Sequence, residues 1–243
     1  MKLLAVETTT EACSAALYID GMVSERFELT SKEHTKLILP MIDSLMSEAD
    51  LRPQQLDALA FSCGPGSFTG IRIATGVIQG IALGADLPVV PVSTLAAIAQ
   101  GFFDKNNDIL QCDKINTESY LSALNVAFTA MDARMGEIFW GVYQRDEKNF
   151  AKLLGKESVT PATAVDFPEI KGVGIGSGWG VYNQELMTRL SAQVSYCEVE
   201  HLPRAGAIAR LGVQGYEQGL SVPVELAMPV YLRNNVAKKE SER

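Results

Sequence analysis

The 243-residue chain carries a formal net charge of −8, with 47% hydrophobic and 21% charged residues. This composition supplies enough apolar material for one or two packed domains. It is a poor match for direct nucleic-acid binding, which draws much of its affinity from basic groups that meet phosphates. The one concentrated basic segment, Arg233 with Lys238-Lys239, is interpreted as a solvated tail.

Neither a membrane span nor a signal peptide is predicted. No run of 18 apolar residues occurs, and the N-terminus has no basic region followed by a small-residue cleavage site. The four cysteines are far apart and form no Cys-x-x-Cys pair. We therefore expect reduced thiols in a cytoplasmic protein.

The first half of the chain alternates predicted strands and helices. Strands are predicted over 1–8, 13–19 and 22–30, the last two joined by an Asp20-Gly21 hairpin turn. Apolar residues at helical spacing predict a helix over 34–49, with a kink or first-turn distortion at Pro40. This helix is followed by strand 56–62, a glycine-rich loop, helix 70–85, strand 88–92 and a helix from Ser93 to 103.

The loop Gly64-Pro65-Gly66-Ser67-Phe68-Thr69-Gly70 is the centre of this half. Free N–H groups at a helix start, together with the helix dipole, favour an anion. Ser67 or Thr69 is well placed as the N-cap. The loop either meets a phosphate, a carboxylate or a partner's side chain, or is only a tight turn. It is not a P-loop, because no Gly-Lys-Ser/Thr follows.

The second half repeats the order of the first. The polar segment 104–119 is the predicted crossover. Strands follow over 125–132, 137–144 and 150–159, then a helix start over 161–165, strand 172–175, helix 181–190, strand 194–199 and a final helix, 203–218. Two successive β-β-β-α-β-α patterns predict a duplicated α/β lobe, with the first lobe at 1–103 and the second at 104–243.

Five further stretches carry a family resemblance: residues 4–14 (LAVETTTEACS), 34–40 (HTKLILP), 88–93 (PVVPVS), 131–137 (MDARMGE) and 229–233 (PVYLR). Together with the loop they resemble the TsaB (YeaZ) family of bacterial tRNA threonylcarbamoyladenosine biosynthesis. The resemblance implies the actin-like, sugar-kinase-like and Hsp70-like (ASKHA) ATPase fold, in which two related α/β lobes flank a crevice. By analogy, the final helix is a candidate to return to the first lobe.

The same resemblance implies a function. It describes a non-catalytic partner and activator of TsaD, which transfers a threonylcarbamoyl group to adenosine 37 of tRNAs reading codons that start with A. It also implies the ATPase TsaE as a partner, a homodimer when the chain is alone, and tRNA contact only through the complex. ATP and a metal would belong to the partner subunits, with no cofactor held tightly here. The alternatives are an autonomous ATPase or kinase of this fold and, with less support, a peptidase.

In ATPases of this architecture the turn after the first strand places an aspartate near the metal and phosphates. Here Glu7-Thr8-Thr9 takes that place, and Asp132 is its counterpart in the second half. Such groups could bind a magnesium nucleotide, or the turns could retain only capping hydroxyls. The predicted degenerate crevice comprises Glu7, Thr8, Thr9, Gly66, Ser67, Asp132, Gly174 and Gly176.

Metal and hydrolytic chemistry lack their usual residues. The resemblance implies a His-x-x-x-His metal helix in TsaD, but here Ile38 follows His34 at the fourth position, and an alkyl group cannot be a ligand. No Gly-x-Ser-x-Gly elbow occurs, and no cysteine has a protease-like neighbourhood. We therefore predict no metal and no peptidase activity.

Helix 70–85 carries Gly76, Gly80 and Gly84 at a spacing of four. Glycine costs about 1 kcal/mol relative to alanine inside a helix, so three in register need a reason. Either this helix packs closely on its own sheet, or it offers a flat strip to a partner helix. In the family, the first two helices pack against their counterparts in TsaD or in a second copy. The predicted interface is His34, Leu37, Ile38, Met41, Ile42, Leu45, Gly76, Gly80 and Gly84.

Overall fold

Two five-stranded mixed sheets form the framework of the protein. The structure, a computed structural model, describes residues 1–107 and 122–233. The strands of the first sheet are β1 (Lys2–Glu7), β2 (Ala12–Ile19), β3 (Met22–Leu29), β4 (Ala58–Gly64) and β5 (Val89–Ser93). They lie in the order β3-β2-β1-β4-β5. The first three strands form an antiparallel meander, while β1, β4 and β5 run parallel.

The second sheet repeats this topology. Its strands are β6 (Val126–Asp132), β7 (Glu137–Arg145), β8 (Ala151–Pro161), β9 (Gly172–Ile175) and β10 (Val194–Glu198). Their order is β10-β9-β6-β7-β8, with β6-β7-β8 antiparallel and β6, β9 and β10 parallel. Read from its other edge, this sheet matches the first strand for strand. The predicted duplicated α/β fold is therefore confirmed.

The helices cover the sheets from both sides. They are α1 (His34–Glu48), α2 (Phe68–Ala85), α3 (Thr94–Lys105), α4 (Ser177–Val181), α5 (Asn183–Leu190) and α6 (Ala205–Glu217). Ser93 caps α3 as predicted, accepting from the N–H groups of Leu95 (3.1 Å) and Ala96 (3.4 Å). Two details differ from the prediction. Helix 181–190 is preceded by α4, and the helix start at 161–165 is only a 3-10 turn, Ala162–Ala164.

Helices α3 and α6 lie between the two sheets. The face of the first sheet carrying Leu3, Ala5 and Ala60 packs on α6. Helix α3 packs instead on the second sheet, where Leu95, Ile98 and Phe102 meet Ala127, Val173 and Ile175. Residues 94–103, placed by sequence in the first lobe, thus contribute to the core of the second. Most of the predicted crossover lies outside the described residues.

Helix α2 is long and apolar enough to span a bilayer by length and composition, although only a third of its 18 residues are buried. The core helix of a water-soluble protein passes the same test, so this is weak evidence for a membrane. Its buried residues include Ala74, Ile78 and Ala82, which pack on the first sheet beside α1. Its exposed residues include Gly76, Gly80, Leu83 and Gly84.

Candidate functional site

The turn after β1 folds back on its own carboxylate. Glu7 is fully buried, and its Oε1 accepts hydrogen bonds from the N–H and the hydroxyl of Thr9. Burial raises the pKa of the Glu7 carboxyl, and the nearby Ser62 hydroxyl and Thr9 offset part of that rise. Glu7 Oε2 and Ser62 Oγ form no well-aligned hydrogen bond with any described residue. Glu7 is therefore an interior group, not a carboxylate facing an open crevice.

The glycine-rich loop is pressed against the same turn. A Cβ at Gly66 would lie 2.6 Å from Thr9 O, and one at Gly70 would lie 2.0 Å from Thr8 O. The Ser67 N–H donates to Thr9 O (2.7 Å), and the Thr8 hydroxyl donates to Gly70 O (2.7 Å). Ser67 is the N-cap of α2, with Oγ 3.4 Å from the Gly70 nitrogen. These contacts fill the space between loop and turn and support the tight-turn interpretation, while anion binding by the loop stays a prediction.

The corresponding turn of the second lobe holds Asp132. The Asp132 N–H donates to Ser177 Oγ (3.1 Å), and its Oδ1 accepts from the Arg134 N–H (2.8 Å) and the Tyr182 hydroxyl (3.3 Å). The Arg134 guanidinium lies 3.2 Å from Oδ2. The carboxylate is thus already paired within its own lobe.

The second-lobe glycines make room for packing. A Cβ at Gly174 would lie 2.6 Å from the indole of Trp179 and 2.9 Å from Cys197 Sγ. One at Gly176, which has φ +101°, would lie 2.6 Å from Ala130 O. Trp179 is fully buried, so its ring occupies the space beside Gly174. Sequence reasoning missed Trp179, and only Gly174, three positions before the start of α4, hinted at a bulky neighbour.

The predicted crevice residues come together as two groups. In the first lobe the β1–β2 turn and the glycine loop contact each other, and in the second lobe Asp132 and Gly176 lie at neighbouring strand ends. No hydrogen bond joins the two groups within residues 1–107 and 122–233. The first group comprises Glu7, Thr8, Thr9, Gly66 and Ser67, and the second comprises Asp132, Gly174 and Gly176.

Neither histidine lies in a metal-like cluster. Across the described chain, no three His, Cys, Asp or Glu side chains gather closely enough to hold an ion. His34 begins α1, and its Nε2 is 2.8 Å from Thr10 O. The Nδ1 atom of His201 lies 3.6 Å from the Glu198 carboxylate. The metal content of the protein stays a prediction.

The described thiols are poor nucleophiles. Burial raises the pKa of Cys13 to about 11 and that of Cys63 to about 12. It also raises the pKa of Cys197. Because the thiolate is the reactive form, these groups are protonated and inert near neutral pH.

The apolar stripe of α1 faces the chain's own core. Ile38, Ile42 and Leu45 are buried against the first sheet and α2, and His34 is buried at the helix start. The interpretation of these four side chains as partner contacts is therefore corrected, because they are already covered. Leu37 and Met41 are half-buried at the edge of this core.

The glycine strip of α2 is exposed, in contrast to the buried apolar stripe of α1. A Cβ built at Gly76, Gly80 or Gly84 would meet no heavy atom of the described chain within 4 Å. The alternative that these glycines allow close packing on the chain's own sheet is therefore wrong. Leu83, beside the strip, is 75% exposed. We call this surface the open face of α2: Gly76, Gly80, Leu83 and Gly84, with half-buried Ile73 and Val77 alongside.

Comparison with known proteins agrees with this architecture. The family model of tRNA N6-adenosine threonylcarbamoyltransferase (TsaD) matches residues 20–241. The tRNA threonylcarbamoyladenosine biosynthesis protein TsaB of Escherichia coli K12 is 40% identical over 244 residues, covering 99% of this chain and 98% of that protein. TsaB of Haemophilus influenzae is 34% identical, covering 99% and 97%.

A solved structure shows the same fold. YeaZ from Pseudomonas aeruginosa superposes with a TM-score of 0.82 at 35% identity, covering 95% of this chain and 99% of that one. Identity of this level along nearly the full length of both chains sets the family, and the duplicated sheets agree with it. The chain therefore belongs to the TsaB (YeaZ) family of tRNA threonylcarbamoyladenosine biosynthesis proteins.

Proposed function

We propose that this chain acts in tRNA threonylcarbamoyladenosine biosynthesis as a non-catalytic partner and activator of TsaD. The observation that carries the proposal is the open face of α2, where three glycines in register leave a helix backbone uncovered. A solvated helix has no use for three glycines, which weaken it by about 1 kcal/mol each relative to alanine. Small residues do let a second helix approach closely, within the 8–10 Å typical of packed helices.

The surroundings of the strip suit a protein partner. Leu83 is 75% exposed and Ile73 and Val77 are half-buried, so the strip lies within an apolar surface. Leu37 and Met41 of α1 extend the apolar character at the edge of the helix pair. Exposed apolar surface is typical of interaction sites, and these side chains would contribute to one. The partner-facing set is thus smaller than the sequence predicted.

The crevice supports the non-catalytic part of the proposal. Glu7 is buried and bonded to Thr9, Asp132 is paired with Arg134, and Trp179 fills the space beside Gly174. A nucleotide would have to displace these contacts. ATP and metal chemistry would then belong to TsaD and the ATPase TsaE.

Two further features of the assembly belong to the proposal. A second copy of the chain can place its own strip on the open face, which gives a homodimer that TsaD would displace. The net charge of −8 disfavours direct tRNA binding, so tRNA would be held by the complex. All of this would take place in the cytoplasm.

Reconstitution tests the proposal. The chain, TsaD and TsaE from one organism are assayed for threonylcarbamoyl transfer to adenosine 37, with each protein omitted in turn. We expect no product, ATP turnover or peptide cleavage from the chain alone, and a marked rise in TsaD activity when the chain is added. Native mass measurement of the mixture should give a 1:1 pairing with TsaD. Turnover by the purified chain alone would favour the autonomous ATPase instead.

A further inference from the structure

The C-terminal segment 227–233, here called the strap, begins in the core of the first lobe. Ala227 is fully buried in the cluster that includes Ile78 and Val89. Its carbonyl oxygen accepts a hydrogen bond from Gln79 Nε2 (2.9 Å) on α2. One end of the strap is therefore anchored to the first lobe.

The middle of the strap lies on the end of β4. The Val230 N–H donates to Cys63 O (2.7 Å), and a Cβ at Gly64 would lie 2.6 Å from Val230 O. Gly64, with φ +119°, thus keeps the space that the strap backbone occupies. The Tyr231 hydroxyl accepts from Arg72 Nε (3.1 Å), which holds the strap against the start of α2.

The far end of the strap reaches the second lobe. Arg233 Nη2 forms an ion pair with the Glu137 carboxylate and donates to Arg134 O (3.2 Å). Its Nη1 lies 3.9 Å from Met135 Sδ. The Arg233 side chain is only 17% exposed, so the guanidinium is enclosed by the 133–137 turn. Charged hydrogen bonds of this kind are stronger than neutral ones.

The two anchor points are both carboxyl ends of parallel strands. Gly64 ends β4 in the first sheet, and the 133–137 turn follows Asp132 at the end of β6 in the second. In open α/β sheets this edge is where ligands bind. We propose that the strap is an inter-lobe latch, in which Arg233 fastens the second-lobe turn to the first lobe across the crevice. The strap thus occupies the place where a bound ligand would otherwise join the lobes.

Hydrogen exchange on the full chain tests the latch. The variants are Arg233→Ala and Glu137→Gln, with Arg26→Ala as a control because Arg26 pairs with Glu48 inside the first lobe. Loss of a charged hydrogen-bond pair should make the amides of 133–137 exchange about 10- to 100-fold faster. Amides of β1 should be unchanged, and the double variant should exchange no faster than either single one.

Two results would overturn the proposal. One is unchanged exchange at 133–137 in both variants, and the other is a uniform rise over both lobes, which indicates general destabilisation. If Arg233→Ala does not fold, Glu137→Gln alone decides, since it removes the charge and leaves the strap and the side-chain shape in place.

Discussion

Gly80→Leu is the sharpest test of the open face. Gly80 is the middle glycine of the strip, and a Cβ there meets no described atom within 4 Å, so the isolated chain has room for the new side chain. Leucine is also the better helix former by close to 1 kcal/mol. The thermal midpoint of the variant chain should therefore stay the same or rise.

Binding should respond in the opposite direction. Where two helix backbones meet, four added carbons cause overpacking of typically 1–3 kcal/mol. That range corresponds to a roughly five- to 150-fold loss in association. Gly80→Ala, which adds one methyl group, should lose less. Complex formation with TsaD and transfer activity should fall together, as measured by calorimetric titration and by the reconstituted assay.

The control is Gln184→Leu on α5, which adds an exposed leucine in the second lobe without a change of charge. It should bind TsaD normally. Wild-type affinity of Gly80→Leu for TsaD would refute the interface. A lowered thermal midpoint with normal binding by the folded fraction would mean that the strip serves the chain's own packing.

Four further predictions concern metal content, nucleotide binding, packing beside Gly174 and the pH dependence of stability. Elemental analysis of the purified protein should find no stoichiometric zinc or iron, and one bound equivalent would contradict this. Calorimetry should find weak or no ATP binding; submicromolar affinity with turnover that Asp132→Ala abolishes would support the kinase alternative. Gly174→Ala should lower the urea-unfolding free energy by about 1–3 kcal/mol, because its methyl would meet the Trp179 ring at 2.6 Å. Burial raises the pKa of Glu7 in the folded protein above its ordinary 4.5. The Glu7 carboxyl therefore lowers the free energy of unfolding as the pH rises past that value. Glu7→Gln should be more stable than the unaltered chain at pH 8 but not at pH 4.

Local patterns were enough to predict the strands, most helices and the duplicated lobe. Alternation, helical spacing and caps are properties of neighbouring residues. The bounds of the strand 172–175 and the identity of the Ser93 cap could therefore be predicted to the exact residue. The sequence predicts a helix start over 161–165, but only the short turn Ala162–Ala164 forms there. A proline at the start of a helix does not indicate how long the helix is. The packing of α3 on the second sheet depends on contacts between distant segments, and no local pattern carries them.

The site was predicted less well than the fold. An amphipathic stripe shows which face of α1 is buried but not what covers that face. In the structure the chain's own first sheet covers it. The strap was visible only as the 229–233 motif, whose contacts lie about 160 residues away on α2 and about 100 away on the 133–137 turn. Its role could be read only after folding brought those segments together.

The glycines show why sequence alone left the question open. Gly66 and Gly70 stand just before Gly76 and Gly80, and each pair has the same residue type at similar spacing. The first pair is required because the backbone of the β1–β2 turn occupies the position of a side chain, which closes the first-lobe crevice on itself. The second pair leaves the space beside it empty, and that space is available to another molecule. Under the proposed function, this open surface is the one that a partner would cover, so a substitution such as Gly80→Leu should weaken binding without changing the fold.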